Sequence, residues 1–336
     1  MTRMVPRNIK PITHLGALAL VLLALTWPLA TEAQQAGTVP RIGFLGQTSP
    51  SVQAPGVEAL LAGLRDFGYV EGKNIVIEFR WAEGKYDRLP ALAAELVRRK
   101  VDVLVTGGTA GVRAAMQATT AIPIVMTSSG DAIAAGLVAS LARPGGNVTG
   151  STFFVPELMA KRLELLREVM PRTRRAAVLV NPDDPSNVPV LKAIEMTAAS
   201  LGIELHKFEA RRPDEFENVF SAMARIRVDG VVVQEDTFLT AHARAIADRA
   251  TRKRLLSAGS TRFAEAGGQI GYGPNGPALA RRAAYFVDRI LKGARPGDLP
   301  VERPTKFDLV INLNTTKAQG LTIPSSVLLR ADRIIE

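Results

Sequence analysis

Residues able to hold a small charged molecule gather in short loops, each following an apolar run. In the first half these are Gln47, Thr48 and Ser49, then Thr109 and Ala110 after Thr106-Gly107-Gly108, then Thr127, Ser128 and Asp131. In the second half Asn181, Asp183, Asp184, Ser186 and Asn187 follow one run, Glu235 and Asp236 a second, and Ser260 with Thr261 a third. Hydroxyls and backbone N–H groups at helix starts suit a carboxylate, and carboxylate side chains suit an ammonium group. Together they suit an amino acid or a similar zwitterion. Thirteen residues are therefore expected to bind: Gln47, Thr48, Ser49, Thr109, Ala110, Thr127, Ser128, Asp131, Asn181, Ser186, Asn187, Glu235 and Asp236.

Any one Ser, Thr, Asp or Asn among them is equally well explained as a helix N-cap. The binding reading rests on convergence, because loops at the carboxyl ends of strands in two facing lobes would meet. Thr109, Thr127 and Ser128 are expected to hold a ligand anion. Asp131, the only carboxylate in the three first-half loops, is expected to anchor an ammonium, with Asp183, Asp184, Glu235 and Asp236 placed to serve the same group from the other side. Phe153, Phe154 and Tyr272 lie near the inferred crossings, as ring-stacking or core residues.

Catalysis is not expected. No G-x-S-x-G elbow, no phosphate loop ending in G-K-S or G-K-T and no H-E-x-x-H occurs, and no dinucleotide-binding unit is expected. His206 and His242 have no partner at metal spacing, and with no Cys the chain offers no thiolate site or disulfide. No cofactor is expected. Asp183 and Asp184, flanked by Pro182 and Pro185, read as a solvated turn.

The elements that must position these loops alternate between short strand-like runs and a helical period, as parallel βαβ units do. Strands are expected over 41–45, 74–81, 101–105 and 122–126, with helices over 57–67, 89–99, 111–118 and 132–141. Arg143-Pro144-Gly145-Gly146-Asn147 is turn chemistry, and 148–155 reads as an extended crossing. The alternation then restarts, with helices over 156–169, 188–201, 214–225 and 241–252 and strands over 176–180, 203–208, 228–233 and 255–258. A glycine-rich stretch over 267–274 marks a second crossing, and a helix over 277–292 is expected to pack back on the first lobe. The fold class is α/β, with two doubly wound parallel-sheet lobes.

The start of the chain is of another kind. Arg3, Arg7 and Lys10 precede an apolar run from Leu15 to Ala30, and Thr31-Glu32-Ala33 follows. This is the pattern of a secretory signal, with cleavage expected after Ala33, and the run is too short for a spanning helix. The net charge of +10 includes +2 from this leader, leaving +8 for the mature part. Arg is spread over many helices and aromatics make up only 5%, so the charge reads as solvated helix faces and no nucleic-acid partner is expected.

Several longer stretches carry a resemblance. They are Tyr69-Val70-Glu71-Gly72-Lys73-Asn74-Ile75, Trp81-Ala82-Glu83-Gly84, Asp87 to Ala93, Gly136 to Asn147, Asp288 to Gly293, Leu299 to Glu302, Pro304 to Phe307 and Val310 to Leu313. With them the chain from about Arg41 to Glu336 resembles the ABC transporter substrate-binding family that includes tryptophan- and tyrosine-binding proteins. The resemblance implies a type I periplasmic-binding fold with three crossings, and a cleft for a small, often aromatic, amino acid. The export signal and the absence of a Cys for lipidation lead to an expected periplasmic location. A monomer serving an ABC permease in the inner membrane is expected, with an exported ligand-sensing subunit for a membrane receptor, or an exported enzyme using the cleft carboxylates, as the alternatives. The implied division is a signal peptide over 1–33, one lobe over 40–153 plus 273–296, and the other over 154–272 plus 297–336. Members commonly carry Asp-Pro where this chain has Asp131-Ala132, and Leu255 to Phe263 is atypical; both departures touch cleft loops.

Overall fold

A computed structural model describes residues 39–336; the expected signal peptide and its cleavage after Ala33 fall outside the described residues. The chain enters its first sheet at β1 (Arg41–Gly46). It continues through α1 (Pro50–Asp66), β2 (Val76–Trp81), α2 (Leu89–Arg98), β3 (Val103–Thr106), α3 (Thr109–Ala118), β4 (Ile124–Met126) and β5 (Val148–Gly150). These five strands are all parallel in the order β2-β1-β3-β4-β5. Helices cover both faces, which is why β1, β3 and β4 read as unbroken apolar runs: one core gathers Leu45, Leu96 and Leu104, the other Ile42, Leu64 and Val105.

After Ser151 the chain crosses to a second sheet. There follow α4 (Val155–Val169), β6 (Arg175–Val180), α5 (Asn187–Leu201), β7 (Glu204–Glu209), α6 (Phe216–Arg225), β8 (Gly230–Val233), α7 (Thr237–Ala241), α8 (Ala243–Arg252), β9 (Leu256–Gly259), α9 (Thr261–Glu265) and β10 (Ile270–Pro274). A second crossing leads into α10 (Gly276–Leu291), which buries Ala283, Ala284, Phe286 and Val287 in one core with Ile42 and Phe44 of the first sheet and Leu60 of α1. A third returns the chain to β11 (Phe307–Asn312), α11 (Leu313–Ala318), α12 (Ser325–Leu328) and β12 (Arg333–Ile335). The second sheet runs β12-β11-β10-β9-β8-β6-β7, parallel except where β10 meets β11. The fold is thus α/β with two doubly wound lobes and three crossings.

Several elements differ from expectation. The first helix begins at Pro50, not Val57: Ser49 caps it, its Oγ accepting from the Val52 N–H at 3.4 Å, and Pro55 sits inside. Pro55 and Gly56 read as breakers, but a proline near a helix start removes one hydrogen bond without stopping a helix that is capped ahead of it. The helix expected over 132–141 is a single turn, because Gly136 adopts φ +67° and reverses the chain. The helix expected over 241–252 is divided at His242, and the glycine-rich crossing contains strand β10.

Leu299 and Val301, expected in the second lobe, pack in the two cores of the first sheet, and the Thr149 hydroxyl donates to the Leu299 carbonyl at 2.8 Å. The chain leaves the first sheet only after Glu302, which bridges to Ser151. Gly271, Gly273 and Gly276 do have G-x-G-x-x-G spacing, so the exclusion of a dinucleotide unit rests on the fold. β10 pairs antiparallel with β11 and the helix after it packs on the other sheet, leaving no βαβ unit. Among the described residues no helix is long and apolar enough to cross a membrane.

Candidate functional site

The carboxyl ends of both sheets face a cleft of about 830 Å³, lined from each side by the loops that follow the strands. On the first lobe it is lined by Gln47, Thr48, Thr109, Ala110, Thr127 and Ser128, together with Gly107, Gly108, Ser129 and Gly130. The first turn of α3 begins at Gly108, whose φ of +69° turns the chain into the helix, and no side chain caps it. The uncapped N–H groups at this turn, flanked by the Thr109, Thr127 and Ser128 hydroxyls, form a neutral donor set suited to a carboxylate.

The second lobe answers with negative charge. Asp184, Ser186, Glu235 and Asp236 line the opposite wall. The Asp184 Oδ1 accepts from the Ser186 N–H at 2.9 Å and from its hydroxyl at 2.8 Å, and Oδ2 from Gln234 Nε2 at 2.9 Å. Burial raises the Asp184 pKa, and the Ser186 bonds and the charge of Arg113 act against it. Asp236 caps α7, its Oδ1 accepting from the Leu239 N–H at 2.8 Å. Its Oδ2 accepts from the Tyr86 hydroxyl of the first lobe at 2.6 Å and from Asn181 Nδ2 at 3.3 Å. Burial, then the charge of Asp184, push Asp236 up to about 6, while the three donors pull it back. The Tyr86 hydroxyl moves well above its usual range, by burial and then by the Asp236 charge.

Glu235 is held by Arg162, a fully buried guanidinium on the inner face of α4. Arg162 Nε and Nη2 also donate to the Tyr272 carbonyl at 2.9 and 2.7 Å, and Nη1 to the Val233 carbonyl at 3.3 Å. Of these three carboxylates only Glu235 is paired; Asp184 and Asp236 have no ion pair within 4 Å among the described residues and Asp184 raises the Asp236 pKa, while Glu265, Asp308 and Asp332 line the cleft together with Arg262, Lys306 and Arg333. A ligand cation beside Asp184 and Asp236 would relieve both. At the far end Arg262 lines the cleft, half-buried and without an ion pair within 4 Å among the described residues; its burial lowers its pKa, with Glu265 opposing.

Not all of the expected residues meet here. Ser49 is taken up by the cap of α1, outside the cleft lining. Asn181 and Asn187 lie behind the wall: Asn187 Nδ2 donates to the Asn181 carbonyl at 2.7 Å and its Oδ1 accepts from Gln234 Nε2 at 2.9 Å. They orient Gln234, which in turn holds Asp184. Asp131, expected to anchor an ammonium, also lies outside the lining; its Oδ1 accepts from the Ile133 and Ala134 N–H groups, both at 3.1 Å, as a turn cap does. The carboxylates facing the cleft belong to the second lobe. Asp183 is exposed and pairs with Arg211 at 3.3 Å, whereas Asp184, read with it as a solvated turn, is half-buried in the wall.

Of the aromatics considered, Phe153 lines the cleft, Phe154 precedes α4 beneath Arg303, and Tyr272 stacks on Phe307. Tyr86, Gln53, Arg162 and Arg262 join the site without having been expected there. Only Arg162 carried a signal: in Leu158-Met159-Ala160-Lys161-Arg162-Leu163 it falls on the apolar stripe, where a charge requires a partner.

The raised Asp236 pKa has a signed consequence. Between its unfolded value near 3.8 and its folded value of about 6 the native state binds more protons than the unfolded state. Its contribution to stability is therefore fully present below pH 4 and is lost as pH rises through about 6. We expect the stability of Asp236→Asn to lack this fall, measured as urea melts of both proteins across pH 4 to 7. Parallel profiles would contradict the assignment.

Comparison with known proteins gives consistent matches. The family described as ABC transporter substrate binding protein matches residues 49–335. A tyrosine-binding protein of Clostridioides difficile strain R20291 is 26% identical over 262 residues, which span 78% of this chain and 75% of that one. Among solved structures, a conserved domain protein from Vibrio cholerae superposes with a TM-score of 0.83 at 29% identity. An ABC domain from Streptococcus pneumonia in complex with L-Trp does so with 0.82 at 25%. Each covers 88% of this chain and 99% of its own.

Proposed function

This chain belongs to the ABC transporter substrate-binding protein family, and from that premise we propose that it captures an amino acid with an aromatic side chain for import. In this reading the protein is exported to the periplasm, acts as a monomer without cofactor or catalytic activity, and delivers its ligand to an ABC permease in the inner membrane. The observation that carries the ligand class is the division of charge across the cleft. The uncapped start of α3 and its hydroxyls offer a carboxylate seat on one lobe, and Asp184 with Asp236 offers an ammonium seat on the other. Phe44, Tyr86 and Phe153 supply apolar lining for a ring. The L-Trp bound to the Streptococcus protein and the tyrosine of the Clostridioides protein's name support the same class.

The mechanism follows from the seats lying on different lobes. A zwitterion that lands on one lobe carries the unmatched charge that the other lobe requires, so closure by bending at the three crossings completes its coordination. The Tyr86–Asp236 hydrogen bond already joins the lobes in this structure and marks where closure is latched. Thermal melting in the presence of each amino acid tests the reading. At about 100 times its dissociation constant a true ligand adds about 2.7 kcal/mol, and L-tryptophan and L-tyrosine are expected to raise the melting temperature. If sugars or polyols do so while no amino acid does, the proposal is wrong.

A further inference from the structure

We propose that the amino-end face of the second lobe docks on the surface of a bilayer carrying anionic phospholipid. Arg-x-Arg occurs three times among the described residues, as Arg172-Thr173-Arg174, Arg225-Ile226-Arg227 and Arg252-Lys253-Arg254. Each copy lies where a helix hands over to a strand: α4 to β6, α6 to β8 and α8 to β9. Those strands are neighbours in the sheet, with Ala176 opposite Gly230 and Gly230 opposite Leu256, so the three copies stand side by side across about 10 Å. Side chains join them further. Arg175 Nη1 donates to the Ile226 carbonyl at 3.2 Å, and Lys253 Nζ to the Ser221 hydroxyl of α6 at 3.3 Å.

Pairing inside the protein leaves most of this charge over. Of the acids on the face, Glu204 pairs with Arg175 and Glu217 with Arg252 and Lys253, while Asp229 Oδ2 accepts the Arg174 and Arg175 backbone N–H groups at 2.7 and 3.0 Å. Arg172, Arg174, Arg225, Arg227 and Arg254 are exposed and have no ion pair within 4 Å among the described residues. A basic residue in the last turn complements the helix dipole, which accounts for Arg225 and Arg252. It does not account for Arg227 and Arg254, held at φ +54° and +55° where glycine is the unstrained choice. Arginine there costs conformational energy and gains no ion pair within the protein, which points to a partner outside it.

An anionic bilayer fits what surrounds the charge. Ile226, 37% exposed between Arg225 and Arg227, offers an apolar contact to the headgroup boundary. No aromatic residue lies within 171–176, 224–230 or 252–257 to stack on nucleotide bases. The chain has no Cys to carry a lipid, whereas each arginine near an anionic surface strengthens attachment about fivefold. The cleft lies at the opposite, carboxyl ends of the same strands, so a protein held by this face keeps its cleft turned from the bilayer and open to ligand. The inference concerns a face outside the cleft and stands whatever ligand the cleft takes.

Co-sedimentation of the exported protein with vesicles tests this. Wild type is expected to bind vesicles of mixed phosphatidylglycerol and phosphatidylethanolamine, to come off as salt rises, and to ignore pure phosphatidylcholine. Arg227→Gly combined with Arg254→Gly removes two charges and frees the left-handed backbone. That variant should bind the anionic vesicles about tenfold more weakly or worse, while melting no lower than wild type. Arg98→Gln combined with Lys100→Gly removes the same charge from the helix exit before β3 of the first lobe, where Lys100 has φ +55°. It should bind within about twofold of wild type. Should the glycine variant melt lower than wild type, Arg172→Gln with Arg225→Gln, away from the left-handed positions, decides. Failure of wild type to bind anionic vesicles overturns the proposal, and so does equal weakening by the first-lobe and second-lobe variants, which leaves net charge alone as the cause. Retention of wild type on duplex DNA without vesicle binding also overturns it and puts a nucleic acid on this face instead.

Discussion

Arg162→Met is expected to lower the unfolding free energy by about 3 to 5 kcal/mol, the usual cost of removing one partner of a buried ion pair. The guanidinium is wholly enclosed, and three groups depend on it through four hydrogen bonds: Glu235, the Val233 carbonyl and, twice, the Tyr272 carbonyl. These lie at the end of β8, in the loop beyond it and on β10, so the one side chain on α4 ties together the strand ends that form the second-lobe wall. Urea denaturation measures the loss. Adding Glu235→Leu should recover part of it, because the carboxylate no longer needs a partner, and the double-mutant cycle gives the coupling directly. A single variant within about 1 kcal/mol of wild type would show that Arg162 is not the organiser described here.

Asp184→Asn is expected to weaken binding of L-tryptophan or L-tyrosine about thirtyfold or more at pH 7, equivalent to about 2 kcal/mol. Deamino analogues that keep the ring and carboxylate should bind the variant as well as they bind wild type, since they bring no ammonium for Asp184 to hold. The same argument sets the pH dependence. A bound ammonium favours the ionised form of Asp236, so its pKa of about 6 falls on binding and protons are released into solution. Wild-type affinity should therefore decline as pH drops through about 6, and the calorimetric heat near that pH should vary with the ionisation enthalpy of the buffer. Equal losses for the amino acid and its deamino analogue would place the ammonium elsewhere.

Much of the architecture was legible in the residues. The alternation of apolar runs with helical periods marks both lobes, because a parallel strand buried on two faces cannot be polar and a surface helix must be polar on one side. The polar loops after β1, β3, β4, β6 and β8 could be named in advance because strand ends in such sheets are where helices start and side chains are free to face outward. Boundaries failed where local chemistry had two outcomes. Pro55 was compatible with a break or with the early turns of a capped helix, and Gly136 ended at one turn what Ala132 to Leu141 would otherwise have continued.

The site itself depended on distances the sequence does not contain. Asp131 and Asp184 are both acidic residues in loops after strands, yet the first spends its oxygen on the Ile133 and Ala134 amides and the second is turned to the cleft by Ser186 and Gln234. Tyr86 meets Asp236 across 150 residues of chain, and Arg162 reaches Glu235 across 73. Sequence pattern by itself determined which residue types stand at which end of which strand, because burial and turn chemistry are local. Only the tertiary structure decided which of them share one desolvated wall, because partner choice and pKa depend on separation in space, where charges gain or lose the most.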